Sequence, residues 1–246
     1  LAAIGAAWPV LVGLAISLAM PAKQPFRRQI ALILRAIAAL VDTISKSGNN
    51  PHTKELGDVY LKEKEVRAAI DNSYDFFGRM AHQVNKNEHQ QYQLVQLRRA
   101  AGLVAVNVIA IGEEMGDIDI PSLDESLRIK AATLFSAMKE AVSRISIFVI
   151  TLNPEEKLLA VSHINRIKKL TEMIRQYPLP YHERQTNAIK RILKLTERNV
   201  KLLESSLYRV EQMGKDKPVF RSYSLIKTSF LLKPKYLFRN ILGLFN

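Results

Sequence analysis

The chain of 246 residues contains no cysteine. Disulfides are therefore impossible, and cysteine-based zinc sites and cysteine nucleophiles are excluded. Aromatic side chains are scarce as well, at 7% with a single tryptophan. Leu, Ile, Ala, Lys, Glu and Arg dominate instead, a composition that favours helix over strand. No segment shows sustained period-two alternation flanked by turn signals, so no strand is expected. The absences extend to chemistry. There is no phosphate-binding glycine loop, dinucleotide fingerprint, zinc-protease helix motif or nucleophile elbow. The five histidines are His52, His82, His89, His163 and His182. None pairs with another at the three- or four-residue spacing of metal ligands. His82 and His89 lie seven apart across an expected helix break, and a shared metal there is a minor alternative. No metal, no cofactor and no catalytic residue are expected.

Negative charge is in short supply. Lys and Arg number 36 against 23 Asp and Glu, giving a formal charge of +13. Such a balance suits a partner rich in negative charge, either nucleic acid or the anionic face of a membrane. At 48% hydrophobic and 24% charged the chain is too apolar for disorder.

Charge is missing altogether from residues 1–22, LAAIGAAWPVLVGLAISLAMPA. A helix of that length, at ~1.5 Å per residue, spans the hydrocarbon core of a bilayer. Trp8 and Pro9 do not disqualify it, since membrane helices tolerate proline. Lys23, Arg27 and Arg28 follow at once, and by the positive-inside rule that end faces the cytoplasm. Trp8, Lys23, Arg27 and Arg28 are thus expected at the membrane interface. Two other readings compete. One is a signal peptide with small residues at Ala19 to Ala22, although no basic region precedes it. The other is a buried core helix of a soluble bundle.

From there to about residue 213 the chain is a succession of helical stripes. A helix over about Arg27–Lys46 carries Ile30, Leu34, Ile37, Val41 and Ile44, stepping by 4, 3, 4 and 3. The next, over about Asp58–Lys86, carries Val66, Ile70, Ser73, Phe77, Met80 and Val84. A third, over about Glu88–Met115, carries Leu94, Leu97, Ala101, Val104, Val108 and Ile111. Its uncharged stretch from Ala100 to Gly112 is too short to span a bilayer and is expected in the middle of the bundle. After a loop, Ser122 with Glu125 forms an expected capping box for a helix reaching about Leu152. Asn153 then serves as N-cap, with Pro154 at the first helical position and Glu155 and Glu156 at the positive dipole end. That helix runs to about Gln176. A last one covers about His182–Met213, with Ile189, Leu193, Thr196, Val200, Leu203, Leu207 and Val210. The expected fold is all-α, an elongated antiparallel bundle of about six long helices over residues 23–213. Residues 214–229 read as a basic linker. Residues 230–246, FLLKPKYLFRNILGLFN, read as the start of a second membrane segment or an interfacial helix. In either case Lys233, Lys235 and Arg239 reach for headgroups.

Two charged groups stand out. On the last long helix Arg191, Lys194, Arg198 and Lys201 step by 3, 4 and 3 and sit nearly opposite the apolar stripe. They form a solvated face or a surface drawn to anionic lipid or an acidic partner. Nucleic acid is disfavoured, because aromatic platforms are absent from this stripe. Glu113, Glu114, Asp117 and Asp119 form an acidic cluster, read chiefly as a solvated loop. A cation site and a contact to a basic helix are the alternatives.

Taken together, the ends carry a family resemblance. An Ala/Gly-rich apolar helix with Trp8-Pro9 runs into a basic exit and RRQIALILRAIAALVDTIS. A long helical region follows, then a basic linker and LKPKYLFRNILGLF. This order resembles the central part of the fusaric acid resistance (FUSC) family, also grouped with aromatic acid exporters. Members of that family carry two membrane bundles flanking a mostly helical cytoplasmic domain. Pro234, Tyr236, Phe238 and Arg239 look like the opening of its second bundle. A further basic residue often found a few positions on is missing, since Gly243 and Leu244 occupy the region. The resemblance implies export of small organic or aromatic acids across a bacterial inner membrane, with the lipid bilayer as partner. It supplies no catalytic residues. Homo-oligomerisation and a small-molecule substrate of the parent transporter enter as expectations. The alternative is a soluble basic helical adaptor for acidic proteins or nucleic acid.

Overall fold

The computed structural model describes residues 24–47, 53–81, 88–178 and 182–215. The chain divides into two units, and the one described is Phe26–Lys215. Among the described residues every regular element is helical. We number the long helices α1 (Gln24–Ser47), α2 (Thr53–Ala81), α3 (Glu88–Met115), α4 (Glu125–Thr151), α5 (Pro154–Arg175) and α6 (Glu183–Lys215). A single 3-10 turn, Ile120–Ser122, lies between α3 and α4. The protein is an all-α helical bundle.

The stripes read from sequence are the core. Ile30, Leu34, Ile37, Val41 and Ile44 of α1 are each 1% exposed or less. The α3 stripe from Leu94 to Ile111 and the α6 stripe from Ile189 to Val210 are buried throughout. The α2 stripe is thinner. Val66 and Ser73 are buried, Ile70 and Phe77 are half-buried, and Val84 lies outside the described residues.

Helix α1 buries a wide face. Ala31, Ile33, Ala38 and Leu40 are buried beside the five stripe residues. At 100° per residue these nine positions cover roughly half the helix circumference. Such a width needs several partners, and among the described residues three helices touch it. Phe26 packs edge-on against Phe76 and Phe77 of α2, with ring centroids 5.2 and 5.0 Å away. Ile44 lies against Gly112 of α3, where a Cβ would stand 3.2 Å from Ile44 Cδ1. A side chain there would press on the flexible end of Ile44, which would have to give by a few tenths of an ångström. On α4, the Ser146 hydroxyl donates to the Ala31 carbonyl at 3.1 Å, which satisfies a buried polar group.

Long-range pairs fix the directions. Asp42 meets Lys139 while Ala31 meets Ser146, so α1 and α4 run in opposite directions. Gln93 meets Arg209, Asn107 meets Asn199 and Glu114 meets Arg191, so α3 and α6 do too. Lys157, Lys168 and Arg175 of α5 meet Glu211, Glu204 and Glu197 of α6 in the same antiparallel sense.

Helix ends agree with the sequence in part. Asn153 caps α5, its side chain accepting from the Glu155 amide, with Pro154 in the first turn. The turn before it is closed by Leu152 in the left-handed region, φ 56°, with its amide donating to Phe148. The start of α4 differs from expectation. Asp124, not Ser122, is the N-cap, accepting from the Ser126 amide at 2.8 Å. Ser122 instead ends the 3-10 turn, where its hydroxyl donates to the Asp119 carbonyl. The expected capping box does not form, because the chain makes this extra turn before the helix begins. Helix α2 starts at Thr53 rather than Asp58. Gly57 sits inside it, since one exposed glycine costs only about 1 kcal/mol in a helix.

Helix α3 also departs from expectation. Its uncharged stretch is buried on one side only, and Leu103 and Val106 are 46% and 60% exposed. Among the described residues, Tyr92–Met115 is the one helix long and apolar enough to cross a membrane, and half of that window is buried inside the bundle.

Two outcomes test this architecture. Ile37→Ala removes a fully buried side chain from α1 and should cost about 2–5 kcal/mol in urea unfolding. Asn153→Ala should cost about 1 kcal/mol through the lost cap. An Ile37→Ala chain as stable as the wild type would contradict the central placement of α1.

Candidate functional site

The charged surface of α6 is the most organised candidate. Arg191, Lys194, Arg198 and Lys201 are all exposed and lie on one face, opposite the buried stripe. Their fates then diverge. Arg191 Nε contacts Glu114 Oε1 at 2.6 Å, and a second guanidinium nitrogen lies 3.8 Å from Asp117 Oδ2. Two turns earlier, Arg184 binds Asp117 Oδ1 at 2.6 Å. Glu114 and Asp117 of the acidic cluster are therefore a contact to a basic helix, while Glu113 and Asp119 stay exposed. Glu114 and Asp117 sit near the C-terminus of α3, where the helix dipole disfavours them. The two arginines offset that cost and fasten the turn after α3 to the start of α6. The Arg184 hydrogen bond holds the Asp117 carboxyl below the usual aspartate range, and raises the Arg184 guanidinium in turn.

Lys194, Arg198 and Lys201 make no ion pair among the described residues. They are the part of the predicted basic face that remains open. Next to them a row of pairs joins α5 to α6: Lys168 with Glu204 at 2.6 Å, Lys157 with Glu211 at 3.0 Å, and Arg175 with both Glu172 and Glu197. Exposed pairs of this kind contribute about 0–1 kcal/mol each, so they set register more than stability.

Of the expected interface residues, Trp8, Lys23, Lys233, Lys235 and Arg239 lie outside the described residues. Arg27 and Arg28 open α1. Arg28 is exposed. Arg27 is half-buried, its Nε has no hydrogen-bond partner, and desolvation lowers its pKa. His82 also lies outside the described residues. Among the described residues no group of three or more His, Asp or Glu is arranged to hold a metal ion.

Several polar contacts were not foreseen. Asp42 bridges Lys46 at 2.6 Å and Lys139 at 3.0 Å, and these bonds lower its pKa while raising that of Lys139. A shallow cleft between α1 and α4 lies over this pair. A second shallow cleft holds Tyr177, whose hydroxyl donates to Asp124. Asn107 donates to Asn199 at 2.9 Å across α3 and α6. Arg98 of α3 stacks on Tyr74 of α2 at 3.7 Å from the ring centroid. The only sequence signal for any of these was a polar residue beside an apolar stripe, as with Ser146 next to Ile145.

No family model, no curated protein and no solved structure matches the chain.

The Arg184–Asp117 pair gives a pH-dependent expectation. A lowered folded pKa means that its stabilisation is present above the ordinary aspartate range and is lost as pH falls through the folded value. Asp117→Asn should therefore melt below the wild type above about pH 4 and converge with it in stronger acid. A melting difference independent of pH would argue against the pair.

Proposed function

We propose that this chain is the cytoplasmic helical scaffold of an integral inner-membrane efflux protein for small organic or aromatic acids. In this reading residues 1–22 cross the bilayer, the bundle stands in the cytoplasm, and residues 230–246 open a second membrane segment. One observation carries it. An uncharged stretch long enough to span a bilayer leads directly through Lys23, Arg27 and Arg28 into α1. The described unit supports the reading in two ways. Its described core is assembled from residues of α1 to α6 and the turn before α4, an all-helical body of the kind the resemblance implies. Its exposed Lys194, Arg198 and Lys201 also suit a position close to anionic headgroups. The choice of cargo rests on the family resemblance alone.

The same three cations favour a second reading, a basic helical adaptor for an acidic partner. The two readings part company in the cell. As an integral protein, the full-length chain stays in the membrane pellet after an alkaline carbonate wash. Release into the supernatant, together with binding to an acidic partner that weakens steeply with salt, would replace the first reading with the second.

A further inference from the structure

The exposed side of α3 is unlike the other surfaces of the bundle. Along one face run Val95, Arg99, Gly102, Leu103, Val106, Ala110 and Glu113, at helical spacing. Between Arg99 and Glu113 this face carries no charge, yet Val106 is 60% exposed and Leu103 46%. Helix α2 borders it on one side, through Tyr74 on Arg98 and Glu63 beside Gly112. Helix α6 borders it on the other, through Asn199 on Asn107. No atom stands within 4 Å of where a Gly102 Cβ would be, so the middle of the face is open.

The two ends carry opposite charge. At the first, Arg99 is exposed without an acidic partner among the described residues. Beside it Arg98 is stacked on Tyr74, and its Nε and Nη1 have no hydrogen-bond acceptor. At the second, Glu113 and Glu63 face each other as like charges, and burial together with Glu113 raises the Glu63 carboxyl. Arg67, on α2 with Glu63, lowers it by more than Glu113 raises it, so burial is the main cause of the rise. Arg99 and Glu113 are separated by ~21 Å of helix, at 1.5 Å per residue.

We propose that this face of α3 binds a second copy of the chain, antiparallel, with the two-fold axis at Val106. A two-fold interface must be self-complementary, so that residue i meets j and j meets i. Positions 99 and 113 are equidistant from 106. Arg99 of each copy therefore meets Glu113 of the other. Gly102 meets Ala110, two small residues that let the helices approach. Val106 meets itself, and Leu103 loses its water. An acyl chain would cover the apolar centre equally well. It would not engage the charges at both ends, which is why a second copy is the better occupant. The inference does not depend on the membrane reading.

The absence of cysteine makes the test direct. Val106→Cys in the full chain should form an intermolecular disulfide on mild oxidation, because residues on the axis come within the ~4.4–6.8 Å Cα separation a disulfide needs. Leu158→Cys on α5, 68% exposed, is the control and should form no intermolecular disulfide. Adding Arg99→Glu or Glu113→Arg to Val106→Cys should each cut the cross-linked dimer by about tenfold or more through like-charge contact. Mixing the two variants should restore a heterodimer, since each then offers the other its complement. A Val106→Cys chain that fails to cross-link overturns the proposal. So does a mixture that fails to recover, which would place the copies in another register.

Discussion

The bundle depends on the burial of α1. Nine apolar side chains on roughly half its circumference need cover, and α2, α3 and α4 each supply part of it. Ser146 and Gly112 are two accommodations to this burial. The first places its own buried hydroxyl on the Ala31 carbonyl, and the second leaves the end of Ile44 uncrowded. Helices α5 and α6 then close the other side, aligned by the row of charge pairs between them. By contrast α2 buries little, and exposes Tyr60, Leu61 and Tyr74.

The stripes were legible because a helix that packs on a core repeats its apolar residues every three to four positions. Those of α1, α3 and α6 matched the buried residues position by position. Caps were legible where one strong signal stood alone, as at Asn153-Pro154. Ser122 misled because two acceptable caps, Ser122 and Asp124, lie two residues apart, and the deciding 3-10 turn is a tertiary matter. The charged site was half visible. Its basic stripe follows from spacing on one helix, but its acidic partners are 67 positions away for Arg184. No local pattern reports such a pairing. The acidic cluster read as solvated because the sequence does not say that α6 folds back along α3.

Helix α3 has the most divided character in the molecule. One side contributes Leu97, Ala101, Val104, Val108 and Ile111 to the core. The other presents an uncharged stripe to the exterior, bounded by an arginine and a glutamate. A helix apolar all round is ordinarily buried all round, and here the bundle covers only part of it. In the readings proposed above, that mismatch would link the fold to association, and the uncharged opening of the chain would link it to the bilayer.

The central claim is that α1 holds the bundle together. Native-state hydrogen exchange tests it most directly, because amides in the last element to open exchange only through global unfolding. Amides of Leu34 to Ile44 should be the slowest in the bundle, and those of α2 should exchange through smaller openings. Exchange of α1 as fast as that of α2, with protection concentrated in α5 and α6 instead, would contradict it.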